Sequence, residues 1–498
     1  MATARSLGKA ALGRLAPALA MLAAALVLRL LTLHASLWMD EAGSLERASA
    51  GSWWTVMSGD IHPPLYFLLL RAGLHLTHSF AALRLMSLAF GGAALAAFLW
   101  HFRASPAAAF ATVALLGTLP ELVRHDRELR PYALLLLFLA ASTLVALARA
   151  AQGGSARLSV LLAALLAGAA ATHALTAFFM AALAPFLVAC APGRGIAARL
   201  RSLLPMAPAA AVLAWARISL LAPQDVPGGW WIPRATAARA AAAISDVGGV
   251  PDLRQLCIAA SRHVPGGSVA TAAVLAASAA GLLAIATRAA ARPGAARWLL
   301  AAAAAYVCLV VGYSFVDISI LIARSFIPVP LFGAAAVGCA LASEKDARIR
   351  RAACACAAVM AAALGAADVR AAVPGKGTLR DLAQFVSAGH RDGDLLLLFR
   401  STETALKPYW PGVADAGIVP VGEDRPAAAV LASIRPRLGR AARVVIVYRE
   451  DYYSAAYAGD LRRILAGLSV SGFPMHEAWQ GVDMRVLEGA RGPGAARP

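Results

Sequence analysis

Charge is scarce in this sequence. Only 15% of its 498 residues are Asp, Glu, Lys or Arg, while 60% are hydrophobic and the mean hydropathy is +0.68. A water-soluble chain carries about 25% charged residues, so that class is excluded. Acids are scarcer than bases, 27 against 46, for a formal net charge of +19. In a soluble protein that excess would read as a nucleic-acid surface. Here most of the Lys and Arg flank apolar runs, where they set orientation in a membrane, and no nucleic-acid partner is expected. Cysteine is sparse as well. Cys190, Cys308, Cys339, Cys354 and Cys356 sit in apolar runs and Cys257 stands alone. That spacing provides neither a metal site nor a disulfide framework.

What the chain does have is apolar runs, at about 12–33, 81–100, 106–123, 131–148, 157–171, 173–191, 203–221, 269–287, 297–316, 319–342 and 352–369. Each is read as a membrane span, eleven in all. The first lacks a cleavage site and runs into HASLWMDE, so it is read as retained. Arg5, Lys9 and Arg14 precede it, which places the N-terminus in the cytoplasm. Arg103, Arg149 with Arg157, and the basic loops GRGIAARLR, TRAAARPGAAR and EKDARIRR then fall on the same side. Segment 34–80 lies outside. Within it, HPPLYFLLLRAGLHL has an apolar core of only about a dozen residues, interrupted by Arg71, where a span needs roughly 20. It reads as a helix lying at the interface.

The expected fold class is therefore an α-helical polytopic membrane protein. Residues 1–369 form the membrane domain and 370–498 a small C-terminal α/β domain on the outer side. In the latter, DLAQFVSAGH and LRRILAGL read as helices, DGDLLLLF and RVVIVY as buried strands.

Polar residues stand out against this background. Asp40 and Glu41 adjoin in SLWMDEAGS, directly beyond the first span. PELVRHDRELRPYA (120–133) carries Arg124, Arg127 and Arg130 on the expected outer side, against the charge rule, together with Glu121, His125, Asp126 and Glu128. Charges next to hydrocarbon are costly, so they pair with one another or serve a site. Arg324 sits a few residues into a span in ISILIARSFIPVP. It either snorkels outward or grips a phosphate bidentately. Pro328 and Pro330 break the helix there. His62, in HPP, is placed to bond a backbone carbonyl, a phosphate or an acid. His173, in ATHALTAF, reads as a turn or bundle histidine rather than a ligand, and Trp53/Trp54 and Trp230/Trp231 as interfacial aromatics. An acid pair, several arginines and a greasy approach on one face suit transfer of a group from a lipid phosphate. A carboxylate deprotonates an acceptor hydroxyl, and guanidiniums stabilise the departing phosphate.

In the order WMDEAGS, HPPLYFLLLR, LRLMSLAFG, RELRPYALLLLFLAAST, ARSFIPVPLF, the chain resembles the bacterial GT-C class of membrane glycosyltransferases. That class includes the protein O-mannosyltransferase-like enzymes of family 39 and the lipid A aminoarabinose transferases, and the resemblance spans about residues 10–342. It implies a polyprenyl-phosphate-linked sugar donor, a lipid, glycan or protein acceptor, and the bacterial inner membrane as location. It makes Asp40 the catalytic carboxylate, with Glu41 the adjacent acid. It assigns His62, Arg127, Arg130 and Arg324 to the donor phosphate, and Glu128 and Tyr132 to substrate. Two positions depart from the family pattern: Ser325 stands where a tyrosine follows the late arginine, and His62 where a basic residue precedes the prolines. The one cofactor considered is Mg²⁺ or Mn²⁺ at Asp40/Glu41, whose hard oxygens suit it, although no third carboxylate stands out. The alternative function is a transporter or flippase of lipid-linked or anionic substrates. It calls for charges deep in several spans, whereas these spans are nearly charge-free in the middle.

Overall fold

Alanine and leucine dominate the apolar runs, and both are strong helix formers. The computed structural model accordingly turns those runs into helices. It describes residues 2–31, 33–58, 62–193, 195–219, 232, 234–263, 267–291, 294–371, 378–399, 402–415, 418–421, 427–449, 455–480 and 484–491. Trp230 and Trp231 lie outside the described residues.

Among the described residues, eight helical stretches are long and apolar enough to cross a membrane: Gly13–Leu30, Phe80–His101, Tyr132–Ala151, Ile196–Ala216, Val269–Arg288, Ala295–Val316, Ala323–Ser343 and Ala347–Arg370. Three of the eleven expected runs form shorter helices, Pro106–Thr118, Ala156–Ala170 and Thr176–Ala189, of 13, 15 and 14 residues. At 1.5 Å per residue they are about 20–23 Å long, short of a hydrocarbon layer of about 30 Å. Their ends have local causes. Pro120 opens a new helix directly after the first, and a turn at 171–175 separates the other two. The helix Leu65–Leu76 has 12 residues, about 18 Å, and is likewise too short to span.

The chain divides into two compact units. The first comprises residues 1–34, 50–222 and 234–373. Its helices approach closely where side chains are small. A Cβ at Gly338 would lie 2.5 Å from Cζ of Phe102, and one at Gly117 would lie 2.8 Å from Cβ of Ala25. Phe179 and Phe332 stack at 5.0 Å between ring centroids within the same core.

The second unit comprises residues 35–49, 223–233 and 374–498. Its centre is a five-stranded mixed sheet of β1 (Leu395–Phe399), β2 (Ile418–Val421), β3 (Arg443–Arg449), β4 (His476–Gln480) and β5 (Met484–Ala490), in the order β2-β1-β3-β5-β4. β1 runs parallel to β2 and β3, and β5 runs antiparallel to β3 and β4. Leu395, Leu397, Phe399, Val444 and Ile446 enter one apolar core with the helices Ala427–Leu438 and Ala455–Val470. Leu396, Leu398, Val445 and Val447 enter a second core with the helix Leu379–Gly389. Cover on both faces explains why β1 reads LLLLF without alternation.

Segment 35–49 packs on this sheet unit. The hydroxyl of Tyr409 accepts hydrogen bonds from the Leu37 amide and, at 3.2 Å, from Ser36 Oγ. The Arg380 amide donates to Ser36 Oγ (3.1 Å), and Thr404 Oγ1 donates to Glu46 Oε2 (2.9 Å). Met39 packs against the second core.

Candidate functional site

In the first unit, the polar segment between the helices Pro106–Thr118 and Tyr132–Ala151 is shaped by its prolines. Pro120 occupies the first turn of Pro120–His125, where its missing N–H costs nothing, and Pro131 precedes Tyr132. The intervening turn is held from three sides. Arg29 Nε donates to Asp126 Oδ2 at 2.7 Å, and Arg29 Nη1 donates to the carbonyls of Gly117 (2.6 Å) and Ala25 (2.9 Å). Ser87 Oγ donates to the Glu128 carbonyl at 2.7 Å. Gly91 makes room for Asp126, since a Cβ there would lie 2.1 Å from its Cγ.

His125 sits inside this turn between two carboxylates. Its Nδ1 bonds Glu128 Oε2 at 3.1 Å, and its Nε2 lies 3.2 Å from Glu121 Oε1. Burial favours the neutral ring, but the two glutamates reverse that and raise the His125 pKa to about 9. Burial likewise pushes the Glu121 carboxyl up. The His125 contact and the charges of Arg124 and Arg324 outweigh it and hold the group down at about 2. The segment thus contains a buried imidazolium between two carboxylates, with Arg124 Nη2 reaching Glu121 Oε2 at 2.9 Å.

Tyr132, buried at the start of its helix, is the centre of a second cluster. Its ring centroid lies 4.5 Å from that of His125, 5.2 Å from His173 and 6.4 Å from His62. The guanidinium carbons of Arg130 and Arg324 lie 5.9 and 5.8 Å from the same ring. Arg130 Nη2 is 3.4 Å from His62 Nε2. A guanidinium can only donate, so the His62 proton rests on Nδ1. The rings of His62 and His173 lie 4.5 Å apart between centroids, tilted by 37°. They meet because the Leu65 amide, just after the two prolines, donates to the Ala171 carbonyl at 3.0 Å. The Leu175 amide donates to His173 Nδ1 (3.0 Å), which puts the His173 proton on Nε2.

The structure therefore brings His62, Arg130, Tyr132 and Arg324 together. Glu128 joins them through His125. Arg127 is differently placed: its charged neighbours are Asp368, Arg29, Glu128 and Arg124. Two cluster members, His125 and His173, were given no binding role from the sequence. The available signal for His173 was its position in a polar break between two apolar runs.

The acid pair belongs to the second unit. Asp40, half-buried, occupies the first turn of the helix Met39–Ala48, where the positive end of the helix dipole favours a carboxylate. Glu41 is buried, and its Oε2 accepts the Trp38 amide at 3.2 Å, closing the helix N-terminus. Among the described residues no group of three or more His, Cys, Asp or Glu side chains is placed to hold a metal ion.

These features define a helical polytopic membrane protein with an arginine- and histidine-lined aromatic cluster in its helical unit and an acid pair on its sheet unit. No family model matches the chain, and no relative among curated proteins does. Among solved structures, the chain is similar to the crystal structure of ArnT from Cupriavidus metallidurans bound to undecaprenyl phosphate. Identity is 14% over 96% of this chain and 99% of that chain, with a TM-score of 0.47. It is similar also to the same protein in the apo state, at 14% identity over 95% and 98%, with a TM-score of 0.45.

Proposed function

We propose that the chain is a bacterial inner-membrane glycosyltransferase that moves a sugar from a polyprenyl-phosphate donor to an acceptor hydroxyl. The observation that carries this reading is the Tyr132 cluster, in which two permanently charged guanidiniums and three histidines lie within 6.4 Å of one buried aromatic ring. Such a set suits a phosphate whose negative charge grows as it leaves. The sequence resemblance supplies the sugar and the polyprenyl chain. In this reading Arg130 and Arg324 bind the donor phosphate, and His62, aligned by Arg130, offers Nδ1–H to it. Arg127 acts through the turn rather than on the phosphate. Glu128 and His125 are positioning residues.

Asp40 is assigned the role of base. The acceptor O–H proton passes to its carboxylate as the acceptor oxygen bonds the anomeric carbon. The bond from that carbon to the phosphate oxygen breaks, and its electron pair leaves on the phosphate. One displacement inverts the anomeric centre. Glu41, by capping the helix, fixes the turn on which Asp40 stands.

The test uses the full chain in proteoliposomes with labelled polyprenyl-phosphate sugar. Asp40→Asn is expected to lower turnover by about 10²–10⁴-fold with donor binding retained, and Arg130→Gln to weaken donor binding. Full activity in Asp40→Asn removes the base. Mass spectrometry of envelope glycolipids and glycoproteins with and without the protein identifies sugar and acceptor, and no change in either leaves transport of the lipid-linked substrate as the better reading.

A further inference from the structure

The helix Tyr132–Ala151 starts in the cluster just described and ends at a second, separate cavity. Arg149 lies 17 residues beyond Tyr132, about 25 Å further along the helix axis. The cavity there has a volume of about 550 Å³ and is lined by Arg149, Arg201, Ser159 and Ser202, with Gly154 and Ala156 at the start of the helix Ala156–Ala170. Its described lining contains no Asp or Glu. The surrounding sequence has none either: no acid occurs between Glu128 and Asp225.

Arg149 is the decisive residue. It is only 6% exposed and lines the cavity. Its one side-chain hydrogen bond among the described residues is from Nε to Ser159 Oγ at 2.8 Å. No carboxylate pairs with it there, and both terminal nitrogens keep their donors uncommitted. With its stem buried and its terminal nitrogens open to the cavity, the guanidinium presents a fixed positive charge and free donors there, which suits a negatively charged ligand. Further positive potential comes from Arg201 and from the N-terminus of Ala156–Ala170, whose N-cap Ser155 makes no side-chain bond to it. The rim is apolar: Val160 and Leu204 line the cavity and are 71% and 64% exposed. A free anion has no use for that surface. An anionic lipid does, with its phosphodiester on Arg149 and Arg201 and its acyl chains along Val160 and Leu204.

We infer that this cavity is a binding site for the headgroup of an anionic phospholipid, taken from the leaflet at the end of the bundle opposite the Tyr132 cluster. The basic loops make that leaflet the cytoplasmic one. The site is independent of the transferase reading.

The experiment titrates delipidated, purified full chain in detergent with phosphatidylglycerol or phosphatidylcholine in mixed micelles, following the thermal unfolding midpoint. Phosphatidylglycerol is expected to raise the midpoint with saturation, as a ligand of the folded state does, and phosphatidylcholine to leave it unchanged. Arg149→Gln and Arg201→Gln are each expected to raise the half-saturating phosphatidylglycerol concentration roughly tenfold or more, the loss of one charge-assisted contact. Arg201 is exposed, so its variant reads out even if the buried change impairs folding. Equal responses to the two lipids, or an Arg201→Gln titration identical to wild type, overturn the site. Competition by millimolar inorganic phosphate makes it a soluble-phosphate site and overturns the lipid assignment. Indifference to phosphate supports the lipid.

Discussion

Gly91→Ala is the sharpest probe of how the polar turn is held. The new methyl would lie 2.1 Å from Asp126 Cγ and 2.3 and 2.4 Å from its two oxygens. Carbon atoms pack at about 3.5–4.0 Å, so the carboxylate must retreat by more than 1 Å. That retreat breaks the 2.7 Å bond from Arg29 Nε, between groups 1% and 3% exposed. Removing one partner of a buried ion pair costs about 3–5 kcal/mol. Alanine is favoured over glycine inside a helix by about 1 kcal/mol, which leaves a net loss of roughly 2–4 kcal/mol. The neighbouring Gly92→Ala is the control. Its methyl meets only Cδ2 of Leu26, at 3.0 Å, the far end of a flexible side chain, and its net effect should stay within about 1 kcal/mol of zero. The assay is reversible unfolding in mixed detergent micelles, with Asp126→Ala and the double variant completing a cycle. With the carboxylate gone the methyl has space, so the double variant should be no less stable than Asp126→Ala alone. A Gly91→Ala loss below about 1 kcal/mol, or costs that simply add, would show that the Gly91–Asp126 approach does not hold the turn.

Other expectations follow from the same geometry. His125, raised from 6.5 to about 9 in the folded chain, stabilises fully below pH 6.5, and that contribution is lost as pH rises through 9. Glu121, lowered from 4.5 to about 2, stabilises fully above pH 4.5 and loses this as pH falls through 2. Unfolding midpoints measured against pH should therefore fall on the alkaline side, and His125→Gln should flatten that limb. A variant with the wild-type alkaline limb would remove His125 as its source. Arg130→Lys and Arg324→Lys keep the charge but lose the fork, and turnover should fall on the order of 10²-fold in the proteoliposome assay; unchanged turnover would mean that a point charge suffices. Tyr409→Phe removes the acceptor for the Leu37 amide, a loss of about 0.5–1.5 kcal/mol. Limited proteolysis within 35–49 should then run roughly two- to tenfold faster, and an unaltered cleavage rate would show that other contacts fix the segment.

Residues that break a rule were visible in the sequence. Asp40 and Glu41 stand beyond an apolar run, the arginines of 124–130 defy the charge rule, and Arg324 interrupts a span. Each is a local anomaly against a monotonous background. The strands LLLLF and RVVIVY were visible for the same reason, as apolar runs too short for a span. β2 and β4 were not: IVPV contains a proline suited only to a sheet edge, and HEAWQ is largely exposed on the opposite edge. His173 was passed over because its meeting with His62 depends on one amide, Leu65, reaching a carbonyl at Ala171, a distant contact that no local pattern encodes. Glu41 was visible as half of an acid pair, while its capping bond to the Trp38 amide three residues back was not singled out. The grouping of 35–49 with the sheet unit rests on Tyr409, Thr404 and Arg380, residues unremarkable in their own surroundings.

That grouping sets a clock. Leu37 and the tyrosine that accepts its amide are 372 residues apart. A ribosome adding roughly 5–20 residues per second needs about 20–75 s to cover that interval. For all of that time the segment bearing both carboxylates has been synthesised while its seat has not. The acid pair therefore reaches its place only when the last quarter of the chain has folded, and a nascent chain stays without a seated acid pair throughout its insertion.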